Sequence, residues 1–194
     1  MIERELKFAL DRDKYETVRR LLCERCGEGR RQVQCNYYYD TDKRELAARG
    51  ITLRIRQKGS ALQGQIKYHR FGGSHESREE YFQVEKLPAV LRFQGLEAGL
   101  LGSLMTVREK FAGRGWEADL DVSYYLGRSD CELEIEYSQE GADAAIKTAE
   151  DLGLDLKADR SKGGKYTRFL KALDGLKKRS ANVEGNFSQT AEIG

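Results

Sequence analysis

Apolar and polar residues alternate with a period of two along much of this chain. In the segment CELEIEY, residues 131–137, three glutamates alternate with residues of mainly apolar character. Successive side chains of a β-strand point to opposite faces, so this period predicts a strand with one apolar and one charged face. Most of the chain is therefore expected to be sheet.

Five other segments show the same alternation, over residues 2–10, 51–57, 62–69, 104–111 and 116–123. Two further strands are predicted from less regular patterns. One lies in NYYYDT around Tyr38, and the other lies in REEYFQVE, where Arg78 and Glu80 share a face with Phe82 and Val84. The chain is thus expected to contain a sheet of many strands.

Apolar residues recur at helical spacing between these strands. The spacing predicts helices over residues 11–26, 88–101 and 142–152, and a last helix from about Tyr166. Gly153 follows the third of these segments, as a C-terminal cap would. Helices between antiparallel strands indicate the α+β fold class.

The length of 194 residues suits one domain with a sizeable core. After Lys178 the sequence becomes polar and loses its periodicity, which is typical of a disordered terminus. We therefore expect one folded domain over residues 1–178 and a disordered tail over 179–194.

The charged faces of the strands are unusual because they place like charges close together, as at Arg54 and Arg56 or at Glu132 and Glu134. Neighbouring like charges repel unless opposite charges or a bound ion compensate them. A closed antiparallel barrel with its apolar face outward, covered by the amphipathic helices, would bring the opposite charges together inside. The predicted lumen is lined by the basic residues Lys7, Arg54, Arg56, Lys67, Arg78, Arg108 and Lys110, and by the acidic residues Glu3, Glu5, Glu80, Asp119, Asp121, Glu132 and Glu134.

Carboxylates and cations in one lumen favour a polyphosphate bound together with a divalent metal. Carboxylates bind Mg²⁺ or Mn²⁺, while Arg and Lys bind phosphate oxygens. A purely basic lumen would not need the metal, and a purely acidic one would repel the anion. The pattern therefore predicts a metal and a small phosphorylated substrate.

The overall charge argues against other classes of protein. Lys and Arg number 34 against 32 Asp and Glu, a net charge of +2, which lacks the basic excess of a nucleic-acid binder. Charges interrupt the N-terminal segment MIERELKFAL, and no apolar run is long enough to span a bilayer, so a cytoplasmic protein without membrane contact is expected. Cys23 and Cys26 lack a second pair at matching spacing, which argues against a zinc site. In the reducing cytoplasm the cysteines are expected to be free thiols.

The motif ExExK at Glu3, Glu5 and Lys7 resembles the signature of the CYTH superfamily, the triphosphate tunnel metalloenzymes. The order of the later motifs is also similar to that family. These motifs are YYYDT with Asp40 and Thr41, GITLRIR, the strand with Lys67, REE, the pair Arg108 and Lys110, and ELEIE. The resemblance covers nearly the whole predicted domain and implies an eight-stranded antiparallel tunnel that requires a divalent metal.

The resemblance also implies roles for individual residues. Those expected to bind the metal are Glu3, Glu5, Glu132 and Glu134, with Glu80 and Asp119 or Asp121 completing the acidic side. Those expected to contact phosphates are Lys7, Arg54, Arg56, Lys67 and Arg108, with Arg78 and Lys110 in matching motifs. A family lysine near the C-terminus, often preceded by a serine, is similar to Lys162 after Ser161, with Lys165 as the competing choice.

The family includes inorganic triphosphatases, thiamine triphosphatases and class IV adenylyl cyclases, so the resemblance implies a site more firmly than a substrate. Our hypothesis is metal-dependent hydrolysis of inorganic triphosphate or a small organic triphosphate. Glu3, Glu5, Lys7 and Glu132 are the expected catalytic residues, with Lys7 and Arg54 holding the leaving diphosphate. The alternatives are a cyclase that makes cyclic AMP from ATP and a polyphosphate-binding module without activity. The sequence leaves the oligomeric state open.

Overall fold

The computed structural model of this chain describes residues 4–69, 77–161 and 163–187. In order along the chain its elements are β1 Glu5–Leu10, α1 Arg12–Cys26, β2 Arg30–Asp40, α2 Glu45–Ala48, β3 Ile51–Lys58, β4 Ala61–His69, β5 Ser77–Gln83, β6 Val90–Phe93, β7 Leu96–Gly113, β8 Trp116–Tyr125, β9 Arg128–Tyr137, α3 Ala142–Asp151 and α4 Lys165–Phe187. All of the segments that alternate with a period of two form strands. The predicted strand around Tyr38 is longer than expected, because its alternation begins at Arg30.

The strands form one antiparallel sheet in the order β1-β9-β8-β7-β2-β3-β4-β5, and β6 pairs with β7 beside this path. This confirms the predicted α+β class. The predicted closure of the barrel is not seen, since no pairing among the described residues joins β1 to β5. The outer edge of β1 instead binds residues 159–161, where the Ala9 amide donates to the Asp159 carbonyl (2.8 Å) and the Ser161 amide donates to the Lys7 carbonyl (2.9 Å).

The strand registers align the charged positions on one face, which we call the charged face. Cross-strand partners on it include Lys7 with Glu134, Arg108 with Asp121, and Asn36 with Arg56. Asp121 and Glu132 are no more than 1% exposed although they are charged, so this face is enclosed rather than solvated. A sheet that curves with its charged face inward would enclose these side chains.

Electrostatics across the curved sheet support this. Burial lowers the pKa of His69 on β4, and so do the nearby cations Lys67 and Lys7. Lys7 lies on β1, at the other end of the strand order. Lys7 and His69 are therefore close enough in space for their charges to interact.

The opposite face of the sheet is apolar and carries two core clusters. In the first, α1 packs on β1, β7 and β9, and α3 packs on β8 and β9. Val18 and Leu22 of α1 are fully buried in this cluster beside Leu133 and Ile135. The second cluster includes Tyr39, Leu46, Leu53 and Ile55 and lies beside α2. The apolar residues thus lie outside the charged interior, as the sequence pattern predicted.

Local signals explain where the predicted helices begin and end. The Asp11 side chain caps α1 by accepting a hydrogen bond from the Lys14 amide (2.8 Å). Gly153, with φ 72°, ends α3 in a Schellman motif, in which its amide donates to Glu150 and the Leu154 amide donates to Ala149. The helices predicted over 11–26 and 142–152 are therefore confirmed.

The helix predicted over residues 88–101 is wrong. This segment forms β6, a turn and the start of β7, with Phe93 opposite Leu96. Gln94 (φ 50°) and Gly95 (φ 77°) both adopt positive φ, which is the requirement of a two-residue type I′ hairpin turn. A tight turn in this position overrides the helical spacing of the apolar residues.

The last helix, α4, begins at Lys165, close to the predicted start at Tyr166. It belongs to a second compact unit, Gly163–Gly194, which follows the unit that contains the sheet. It continues to Phe187, into the region expected to be a tail, and residues 188–194 lie outside the described part. The domain boundary at residue 178 stays a prediction.

Among the described residues, no helix combines the length and the apolar character needed to cross a membrane.

A buried carboxylate links α1 to the sheet, and its removal should destabilise the fold. Glu109 of β7 is 3% exposed and accepts from Arg19 of α1 (2.8 Å), with Arg31 of β2 at 3.3 Å. We expect Glu109→Ala to lower the free energy of unfolding by about 1–3 kcal/mol, because the buried carboxylate of two ion pairs is lost and Arg19 keeps only the more distant Glu28 at 3.8 Å. Glu24→Ala on α1, which breaks an exposed pair with Arg20, should cost no more than about 0.5 kcal/mol. Urea unfolding measures both, and equal losses would contradict this role.

Candidate metal and phosphate site

Three buried carboxylates form the centre of the charged face. Asp121 on β8 and Glu132 and Glu134 on β9 each offer an oxygen, and these oxygens lie within 4.8 Å of one another. Antiparallel pairing places Asp121 directly opposite Glu132, and alternation places Glu134 on the same face two residues later. The strand pattern alone therefore brings the three groups together.

The donor set suits a hard divalent cation. Mg²⁺ and Mn²⁺ prefer carboxylate oxygens, and three buried carboxylates at this separation repel one another, so positive charge beside them is stabilising. The cluster contains neither thiolates nor imidazoles, which softer metals favour. Of the other predicted metal ligands, Glu5 lies near this cluster on β1, and Glu3 lies outside the described residues.

Arg108 is the principal cation beside the carboxylates. Its guanidinium donates to both oxygens of Asp121 (2.8 and 2.6 Å) and to Glu134 (2.9 Å), and it also contacts Asp119. Burial alone would lower the pKa of Arg108, but the surrounding carboxylates raise it above its ordinary value. Lys110, on the same face, binds Asp119 at 2.7 Å. The predicted residues Asp119, Arg108 and Lys110 thus belong to one ionic cluster.

Lys7 connects β1 to the same cluster. Its ammonium lies 2.8 Å from Glu134 and 3.2 Å from Glu5. Burial opposes the charge, yet these two carboxylates raise the pKa of Lys7. In turn Lys7 and Arg108 hold the pKa of the Glu134 carboxyl well below its usual range, although burial acts in the opposite direction. Glu134 is therefore an ionised potential ligand.

The basic row on β3 differs, because its arginines have neutral partners. Arg54 donates to Gln65 (2.6 Å), and Arg56 donates to Asn36 (3.0 Å). Within the described part of the chain, neither arginine has a carboxylate at ion-pair distance. Burial, then repulsion by Arg54 and Arg108, lowers the pKa of Arg56 to about 10. The positive charges of Arg54 and Arg56 are thus only partly compensated, and a bound anion would stabilise them.

Lys67 on β4 completes the cationic side and is held by a carboxylate that the sequence analysis did not select. Glu79 on β5 lies 3.1 Å from Lys67 and also accepts from Gln65 and from the Tyr81 hydroxyl (2.6 Å). Since Gln65 accepts from Arg54, Glu79 orients both cations. Lys67 lowers the pKa of Glu79, although burial acts in the opposite direction.

The structure corrects the predicted roles of Glu80 and Arg78. Register pairs Glu79 with Lys67 on the charged face but pairs Glu80 with Ile66 and Arg78 with Tyr68 on the outer face. The side chains of Arg78 and Glu80 bind each other at 2.6 Å and are 74% and 39% exposed. Neither is brought to the site.

The structure does not decide which lysine near the C-terminus, Lys162 or Lys165, reaches the site. Lys162 lies outside the described residues, and Lys165 is the first residue of α4 in the second unit. Both stay predictions.

Sequence reasoning also missed the polar residues of β2 that reach the charged face. Gln34, Asn36 and Tyr38 are no more than 2% exposed, and they lie opposite Lys58, Arg56 and Arg54 of β3. Their signal was present, because Gln32, Gln34 and Asn36 alternate with Val33 and Cys35. It was hidden by the run of three tyrosines, in which no alternation is visible.

Substituting two neighbouring glutamates can test which face of β5 points toward the site. The sequence analysis's hypothesis of triphosphate hydrolysis predicts that Glu79→Gln lowers kcat by about tenfold, because Lys67 and, through Gln65, Arg54 lose the carboxylate that orients them. Glu80→Gln removes the same charge from the outer face and should leave kcat within about twofold. Steady-state kinetics on both variants decides this, and the reverse ranking would show that Glu80 faces the site.

Comparison with known proteins agrees with this arrangement. The CYTH domain model matches residues 1–170. The chain belongs to the CYTH domain family. No curated protein matches this CYTH chain.

Solved structures share the fold of this CYTH chain. A proposed adenylate cyclase from Bacillus halodurans is 22% identical, with a TM-score of 0.68 over 87% of this chain and 97% of its own. A proposed adenylyl cyclase from Hippeastrum, described as having a dominant triphosphatase activity, is 18% identical, with a TM-score of 0.68 over 88% of this chain and 96% of its own. A proposed adenylate cyclase from Vibrio parahaemolyticus is 17% identical, with a TM-score of 0.60 over 88% and 98%. At these identities the likeness concerns the fold.

Proposed function

We propose that this CYTH protein hydrolyses a triphosphate, inorganic or small and organic, to diphosphate and phosphate with the help of Mg²⁺ or Mn²⁺. The observation that carries the proposal is the division of the charged face. Arg54 and Arg56 of β3 have neutral partners, while the carboxylates of Asp121, Glu132 and Glu134 cluster on β8 and β9. One side suits an anion and the other suits its metal.

The carboxylate trio would hold the divalent ion, with Glu5 beside it. The chemistry that such an ion supplies is the neutralisation of charge on phosphate oxygens and the activation of water. Because the trio is buried, the fold itself keeps bulk water from these oxygens. A dry site strengthens every interaction with the substrate.

The cations have two different tasks in this proposal. Arg54 and Arg56 would bind phosphate oxygens directly, since a guanidinium matches two oxygens at once and no carboxylate of the described residues pairs with either arginine. Lys7 and Arg108 are bound to carboxylates in the structure and would share them with the substrate. Their positive charge then stabilises the negative charge that develops on the leaving diphosphate.

The Hippeastrum relative is described as a triphosphatase, which agrees with hydrolysis. Its low identity transfers only the fold, so the proposal rests on the side chains of this chain. The proposed partner is a small triphosphate in a cytoplasmic setting, without nucleic acid or a membrane.

The experiment is a measurement of phosphate release from inorganic triphosphate, thiamine triphosphate and ATP. Each is incubated with Mg²⁺, with Mn²⁺ or with EDTA, using the wild type and Glu5→Gln. We expect release only with metal, and much less from the variant, whose lost carboxylate binds Lys7. Cyclic AMP from ATP would establish the cyclase instead. Binding without any product would establish the module without activity.

A further inference from the structure

The cations of the charged face differ in how far their charge is compensated. Lys7, Arg108 and Lys67 each lie within 3.1 Å of a carboxylate oxygen. Arg54 is one step removed from a carboxylate, since its amide partner Gln65 donates to one. A carboxylate therefore stabilises the charge of each of these cations, directly or through an amide.

Arg56 differs, because its partner among the described residues is an amide that leads to no carboxylate. The Nε of Arg56 donates to the Oδ1 of Asn36 at 3.0 Å. An arginine Nε can only donate, so this contact fixes which end of the carboxamide faces Arg56. The Nδ2 of Asn36 is buried and has no hydrogen-bond partner in the described part of the chain. The guanidinium of Arg56 is thus oriented without being neutralised.

Asparagine is not the residue that stability alone would favour at position 36. An aspartate has nearly the same shape, would pair its charge with the buried Arg56 and would leave no donor unused. Asn36 is 0% exposed, and its partner on β7 is the equally buried Leu104, which offers the Nδ2 no side-chain acceptor. A local choice that costs stability is expected at a functional position.

Burial makes the difference between an amide and a carboxylate large at this position. Little water screens a charge beside Arg56, so a carboxylate there would compete with a bound anion for the guanidinium. A neutral carbonyl holds the guanidinium and leaves its charge to the anion. The lowered pKa of Arg56 agrees, because burial, then repulsion by Arg54 and Arg108, destabilises its charged form.

We infer that Asn36 is a positioning residue of the phosphate site, whose carbonyl orients Arg56 and whose neutrality keeps the charge of Arg56 available to a triphosphate oxygen. This rests on the proposed function in one respect, because it places a phosphate on Arg56. It does not require that the phosphate is hydrolysed. The residue type at position 36 then sets the affinity of the site for a polyanion.

The test is the binding of inorganic triphosphate, measured by titration calorimetry at low ionic strength in EDTA, where the metal-dependent reaction cannot proceed. We expect Asn36→Asp to weaken binding at least about tenfold, because its carboxylate competes for Arg56. Asn36→Ala removes the carbonyl without adding a charge and should weaken binding about fivefold. In the Arg56→Gln background, Asn36→Ala should change the affinity less than about twofold, since a positioning residue has no effect without the group that it positions.

Gln63→Glu is the control for the added charge. Gln63 of β4 lies opposite Arg56 on the charged face but is exposed, so solvent screens a carboxylate there. This variant should weaken binding less than about threefold. Equal losses in Asn36→Asp and Gln63→Glu would show that net charge alone matters and would overturn the inference. Thermal melting shows whether each variant is folded, and the cycle with Asn36→Ala decides the matter if Asn36→Asp does not fold.

The cycle also separates this inference from the proposed function. A loss in Asn36→Ala that persists in the Arg56→Gln background would overturn the inference, since Asn36 would then act independently of Arg56. If the variants bind as expected but the wild type releases no phosphate with Mg²⁺ or Mn²⁺, the inference stands and the proposed hydrolysis fails. If the wild type binds no triphosphate, both fail.

Discussion

Arg56→Gln should lower kcat/KM for the preferred triphosphate by at least about 100-fold, the size of loss seen when one preorganised donor is removed from a charged transition state. Within the described ranges of the chain, Arg56 donates only to a neutral amide, so its charge is available to the anion. The burial that lowers its pKa to about 10 also makes its interaction with a phosphate strong, because little water screens it. Steady-state phosphate release measures the effect.

The control for Arg56 is an exposed arginine that forms an ion pair at the surface. Arg92 lies on the β6–β7 hairpin, is 85% exposed and binds Glu97 at 3.1 Å. Arg92→Gln should leave kcat/KM within about twofold. Comparable losses in the two variants would show that net charge, rather than a specific phosphate contact, determines activity.

The second large effect is expected at the carboxylate trio. Glu132→Gln keeps the size of a side chain that is 1% exposed but removes one of three charges available to a cation. We expect metal-dependent phosphate release to fall by at least about 100-fold, and the affinity for Mn²⁺, measured by calorimetry, to fall at least about tenfold. The variant should remain folded, since its substitution also removes repulsion among buried carboxylates.

Glu97→Gln is the matched control for Glu132, because Glu97 is 66% exposed and forms its ion pair with Arg92 on the β6–β7 hairpin. It should leave Mn²⁺ binding and turnover unchanged. If Glu132→Gln kept full activity and full Mn²⁺ affinity, the trio would not be the metal site. Loss of activity with unchanged Mn²⁺ affinity would assign Glu132 a role in binding substrate instead.

Sequence reasoning was most successful where alternation is strong. CELEIEY and WEADLDVS each contain three acidic residues at alternate positions, so the faces of β8 and β9 are unambiguous. The trio Asp121, Glu132 and Glu134 then follows from strand pairing. The alternation in residues 51–57 likewise placed Arg54 and Arg56 on the charged face of β3. It placed these charged residues on one face because charge pattern is a local property of a strand.

Alternation failed in REEYFQVE because both faces of this strand carry polar side chains. Arg78 and Glu80 alternate with Glu79 and Tyr81, so the sequence offers no contrast between faces. Only pairing with β4, which sets Glu79 opposite Lys67, decides which residues face inward. A one-residue change of register would exchange the two sets.

The sequence by itself determined the strands of the sheet, the charged and apolar faces, and most of the ionic residues, because each depends on a period of two along a single segment. Only the tertiary structure decided the strand order, the hairpin at Gln94 and Gly95, the inward position of Glu79 and the neutral carboxamides of β2. It also decided that residues 159–161 occupy the outer edge of β1. The physical reason is that these features depend on hydrogen bonds between segments far apart in the chain, which local periodicity does not encode.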